Sequence, residues 1–150
     1  MRLISPFILA CALLLTPIAG SAQNLPPHAS LFGTWTGGMF PPITGLSPQA
    51  CFSQPVVIFT RDLVLRATVT EQTLGQREVE TVRASPQGFE FRFAVTGAAA
   101  VPQVLGGGAQ RVGFGCESPD VLHVQRRGEN EISFPGCADF PYPLVRCHTR

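Results

Sequence analysis

Alternating apolar and polar positions dominate the chain beyond residue 31, and they predict strands. The clearest run is Phe89 to Thr96. Phe89, Phe91, Phe93 and Val95 fall on one side, and Glu90, Arg92, Ala94 and Thr96 on the other. Period 2 is the strand period. A helix would spread these phenylalanines around its circumference. Full burial of each is worth roughly 2–3 kcal/mol, so Phe89, Phe91 and Phe93 are expected in the core. Ser85-Pro86-Gln87-Gly88, just before them, suits a type I turn. Leu63 to Thr70 alternates as well, with Leu63, Leu65, Ala67 and Val69 on its apolar side. Shorter strand signals are Leu31–Gly38, Val56–Phe59 and Arg77–Ala84. Val121–Arg126 and Glu131–Phe134 read as a hairpin about Gly128, and Leu144–Arg146 as a final short strand. Trp35, the sole tryptophan, lies in the first strand and is expected to anchor the core. Gly97–Gly113 reads as a loop. The class expected is all-β: a small antiparallel barrel or sandwich of about seven or eight strands.

The N-terminus has a different pattern. Arg2 precedes a largely apolar run from Ile4 to Ala19, and Gly20-Ser21-Ala22 supplies the small residues of a cleavage site. That order reads as a secretory signal peptide over residues 1–22. The run is shorter than the about 20 residues of a spanning helix, and Ser5, Pro6, Thr16 and Pro17 interrupt it, so no membrane anchor is expected after cleavage. Cys11 lies too deep in the run to be a lipid-anchor cysteine. Residues 23–30 read as an extended lead-in, stiffened by Pro26-Pro27 against helix. Residues 31–150 form one domain.

Export changes the meaning of the cysteines. Cys51, Cys116, Cys137 and Cys147 remain beyond residue 22. An even number in a small exported domain implies bridges, and four cysteines allow three connectivities. Cys116 and Cys137 flank the Gly128 turn almost symmetrically, which favours Cys116–Cys137 with Cys51–Cys147. No Cys-x-x-Cys pair suggests zinc, and no cofactor is implied.

Charge removes one class of partner. The sequence carries eleven basic residues, all arginine, against ten acids, for a formal net charge of +1. A near-neutral chain has no long-range field to collect phosphates, so nucleic acid is not expected. Arg66, Arg92, Arg126 and Arg127 read as solvated strand faces. Arginine without lysine, with abundant Ala, Gly and Pro, fits a GC-rich bacterial genome.

Catalytic patterns are missing: the sequence has no Gly-x-Ser-x-Gly elbow and no His-Glu-x-x-His. His28 lies in the lead-in, His123 on an outer strand face and His148 near the C-terminus. Asp62, Asp120 and Asp139 read as turn residues. Glu78 and Glu80, with Arg77 and Arg83 beside them, read as surface pairing.

Leu31-Phe32-Gly33-Thr34-Trp35 resembles the Gly-x-Trp signature of lipocalin-like barrels, which small periplasmic protease inhibitors of the Inh type share. The resemblance implies that Trp35 packs across the closed end of a barrel. The chain as a whole also looks like small exported proteins of Gram-negative bacteria, periplasmic or secreted. Three functions follow as expectations. The first is an exported, non-enzymatic binding or interaction module of unknown target. The second is a protease inhibitor whose lead-in, Gln23 to Ser30, enters the enzyme's cleft. The third is a carrier of a small apolar ligand in a Phe-lined interior.

Overall fold

A computed structural model describes residues 25–41, 51, 55–95 and 113–147. The expected signal peptide, His148 and residues 97–112 of the expected loop lie outside them. Eight strands follow in order: β1 (Gly33–Gly37), β2 (Val56–Phe59), β3 (Leu63–Ala67), β4 (Gly75–Ser85), β5 (Gly88–Phe93), β6 (Val121–Arg126), β7 (Glu131–Ser133) and β8 (Leu144–Arg146). Each pairs antiparallel with its sequence neighbour, and β8 returns to β1. The sheet therefore closes into a barrel and is not a sandwich.

This up-and-down order sorts the connections. The turns β2–β3, β4–β5 and β6–β7 share one end with the lead-in to β1. The other four connections share the opposite end, called the loop end below. Gly88, the first residue of β5, lets β6 approach closely, because a Cβ there would sit 1.9 Å from the Val124 carbonyl oxygen.

The lead-in departs from its expected extended form. Ala29–Leu31 is a single 3₁₀ turn, and His28 before it is 2% exposed. The Pro pair stops a helix from starting earlier, but Pro26 still accepts a hydrogen bond from Ala29 N at 2.9 Å. The His28 ring meets Phe32 and Phe91 edge-on, with centroids 5.2 and 5.1 Å away. Its Nε2 lies 3.1 Å from the Thr60 carbonyl in the β2–β3 turn. The segment is thus a plug against the barrel end.

Cross-strand register decides which residues face in. Val64 stands opposite Phe59 on β2 and Arg77 on β4, and Arg66 stands opposite Val57. Val57, Phe59, Val64, Arg66 and Arg77 are all buried. The expectation for Leu63–Thr70 is therefore inverted. Its charged side faces the barrel interior, β3 stops at Ala67, and Val69 is exposed. Strand alternation defines two faces, but pairing chooses between them. Val95 leaves the phenylalanine face too, since β5 ends at Phe93.

The interior is aromatic. Phe89, Phe91 and Phe93 are buried, as is Trp35. Phe91 and Phe93 stack at 6.4 Å, Phe93 stacks on Phe114 at 6.0 Å, and Phe114 meets Phe134 edge-on at 5.6 Å. Phe59 links both ends of this series, 5.4 Å from Phe91 and 6.4 Å from Phe134. Ring contacts at these distances are favourable in tilted, offset and edge-on forms.

Candidate binding surfaces

The loop end is built on two buried arginines. Arg66 is carried inward by β3, and its guanidinium lies 5.9 Å from the Phe114 ring centre. It reaches Glu71 at 2.8 Å in the β3–β4 connection and Asp139 at 3.4 Å in the β7–β8 connection. Arg77 on β4 sits 4.9 Å over Phe93. It donates to the Pro119 carbonyl at 2.8 Å and pairs with Asp120 at 2.6 Å, both before β6. Each arginine thus covers an aromatic ring and fastens a loop. Burying a charge is tolerated only when it is paired and hydrogen-bonded.

These contacts correct the sequence reading. Arg66 is not a solvated face, and Arg77 does not pair on the surface with Glu78 or Glu80. Asp120 and Asp139 hold buried charges as well as lying in turns. An arginine alternating with leucines carries no mark of its direction, so the sequence held no signal for these latches.

A cleft of about 580 Å³ opens beside Arg66 and includes Met39, Thr68, Glu71, Cys116 and Asp139 in its lining. Among the described residues, most of the large exposed apolar side chains stand around this end. Phe40 follows β1, Val69 and Leu74 lie between β3 and β4, Val95 follows β5 and Tyr142 precedes β8; each is at least 39% exposed.

The plugged end has different chemistry. Trp35 Nε1 donates to the Leu31 carbonyl at 2.8 Å. Arg146 lies 4.3 Å over the Trp35 ring, donates to the Phe32 carbonyl at 2.9 Å and also reaches the Ser30 carbonyl. Cys51–Cys147 closes a separation of 96 residues beside this pair, and Cys116–Cys137 joins the β5–β6 and β7–β8 connections across a separation of 21 residues.

His28 and His123 do not meet. His28 is inside the plugged end, whereas His123 is exposed on β6, opposite Glu90 on β5. Among the described residues no group of three His, Cys, Asp or Glu side chains is placed to hold a metal. The outer wall beside His123 carries clefts that extend to the Cys116–Cys137 bridge and to the β4–β5 turn.

These features define a closed eight-stranded antiparallel barrel with an aromatic interior, a plugged end and an apolar-rimmed loop end. Comparison with family models, curated proteins and solved structures finds no match.

Proposed function

We propose that the protein is an exported, non-enzymatic binding module that meets a protein partner through its loop end. One observation carries the reading. Among the described residues, five of the six large exposed apolar side chains, Phe40, Val69, Leu74, Val95 and Tyr142, belong to that end; Leu25 is the sixth. Scattered exposed apolar residues need no explanation, but their segregation does. Protein interfaces join such aromatic and aliphatic contacts to a polar rim, and Thr70, Glu71 and Asp139 supply polar groups beside them.

The two bridges suit an oxidising compartment, periplasmic or extracellular. Trp35 on β1 at the plugged end fits the packing that a lipocalin-like barrel implies. The carrier reading draws less support, because the interior rings contact one another where an apolar ligand would sit. Inhibition through a free lead-in draws less support also, since His28 and Leu31 are buried against the barrel. A protease partner would have to be met at the loop end.

The test is site-specific photo-crosslinking in the cells that make the protein. Probes at Phe40, Leu74 and Tyr142 should give one discrete adduct, while probes at Arg61, Arg83 and Glu129 should not. No adduct, or equal adducts from both sets, would overturn the proposal.

A further inference from the structure

The barrel wall is interrupted between β6 and β7. Main-chain hydrogen bonds leave a strand to alternate sides. Arg126 N donates to Gln87 O and Phe93 N donates to Asp120 O, so the even-numbered residues of β6 address β5. The odd-numbered residues address β7. Arg127 N donates to Glu131 O, and Gln125 follows in that ladder opposite Ser133.

The next rung would place His123 opposite Pro135, which has no N–H to give. The chain turns away instead. Cys137 N donates to Phe134 O at 3.3 Å, and Gly136 has φ +73°. Proline followed by a positive-φ residue defines a type II turn. The chain after β7 next meets the stretch before β6 at the Cys116–Cys137 bridge and at the bond from Ala138 N to Gly115 O, 2.9 Å. Among the described residues, the His123 N–H, the His123 C=O and the Val121 C=O therefore have no main-chain partner.

The space beside these groups is open. A cleft of about 340 Å³ runs from His123 toward Cys116 and Glu117, and one of about 490 Å³ runs toward Ser85 and Gln87. Glu90, His123 and Pro135 line both, so the two form a continuous groove along β6. Unpaired groups on a strand edge are a template for another strand. Pro135 and Gly136 line the groove opposite His123 and Val121.

We propose that this groove binds an extended peptide of a partner protein, which adds as a strand to the His123 edge of β6. The groove shares Cys116 with the cleft beside Arg66 but includes none of the exposed apolar side chains of the loop-end rim, so the two proposals stand or fall separately.

The probe is a library of displayed random linear peptides, selected on the full chain with both bridges intact. His123→Pro removes the free donor and leaves the β5 ladder, because that N–H points away from β5. His123→Ala keeps the main chain. Selected peptides should bind the wild type and His123→Ala alike, and should bind His123→Pro about tenfold more weakly, the equivalent of one hydrogen bond. Near-UV circular dichroism checks that His123→Pro retains its aromatic packing. Amide exchange on the wild type gives a second readout, in which the His123 N–H should become protected when peptide is added. Failure to select peptides, equal binding to His123→Pro, or an unprotected His123 amide would overturn the proposal.

Discussion

The Arg146 guanidinium lies 4.3 Å over the Trp35 ring, and the same group holds the Phe32 carbonyl at 2.9 Å. One side chain on the last strand thus covers the core anchor of the first strand and ties down the plug before it. Register places the pair together, since Trp35 and Arg146 are directly opposite in the β1–β8 ladder. Arg146→Ala removes the ring contact and the hydrogen bonds in one step. The expected loss is about 2 kcal/mol, read as a lower urea midpoint. Arg146→Lys should recover little of it, because an ammonium cannot lie flat on the indole while bonding two carbonyls. Full recovery by lysine would show that charge alone suffices.

The bridges should differ in strength according to the chain they close. Loop-closure entropy assigns about 4.7 kcal/mol to a 96-residue loop and about 3.3 kcal/mol to a 21-residue loop. Cys51→Ala with Cys147→Ala should therefore destabilise more than Cys116→Ala with Cys137→Ala. Equilibrium unfolding of the two double variants checks the order. The reverse order would mean that unfolded-state entropy is not the main contribution of these bridges.

Two glycines separate strain from crowding. Gly136 has φ +73°, but nothing lies within 4 Å of a Cβ placed there. Gly136→Ala should cost about 1 kcal/mol from backbone conformation alone. Gly88 is crowded instead, since its Cβ would lie 1.9 Å from Val124 O. Gly88→Ala must push β5 from β6 and should cost about 3 kcal/mol. Thermal unfolding of both variants measures the contrast, and similar losses would contradict it.

The parts of the fold that depend on local pattern were legible in the sequence. Phe89, Phe91 and Phe93 alternate, and no other described strand places three phenylalanines on one side. The β6–β7 hairpin announced itself at Gly128, and its flanks brought Cys116 to Cys137. Other features depend on partners distant in sequence. Arg66 looked solvated because its inward direction comes from Phe59 and Arg77, each fixing Val64 across a strand. His28 looked like part of a lead-in because Thr60, 32 residues later, is what holds it. Phe114 sat beside a glycine-rich segment and carried no strand signal, yet it stacks on Phe93. The candidate surfaces were the least legible part. Exposure at the loop end depends on where strands stop, and the free edge of β6 depends on what Pro135 cannot donate.

The Arg66 latch gives the last prediction. Its side chain is 8% exposed, whereas those of Glu71 and Asp139 are 44% and 36% exposed. Water can therefore reach the carboxylates but hardly the guanidinium. Neutralising both acids with Glu71→Gln and Asp139→Asn leaves a buried positive charge without its counter-ions, at a cost of about 2 kcal/mol after allowance for that water. Arg66→Met removes the charge itself and fills much of the same volume against Phe114. It should cost less than the double neutralisation, because both freed acids can turn to solvent. Adding Arg66→Met to the double variant should recover stability. Urea unfolding of the three proteins tests the order. If Arg66→Met proves the most damaging, the guanidinium contributes to the core through more than its two ion pairs, and the Phe114 contact becomes the leading explanation.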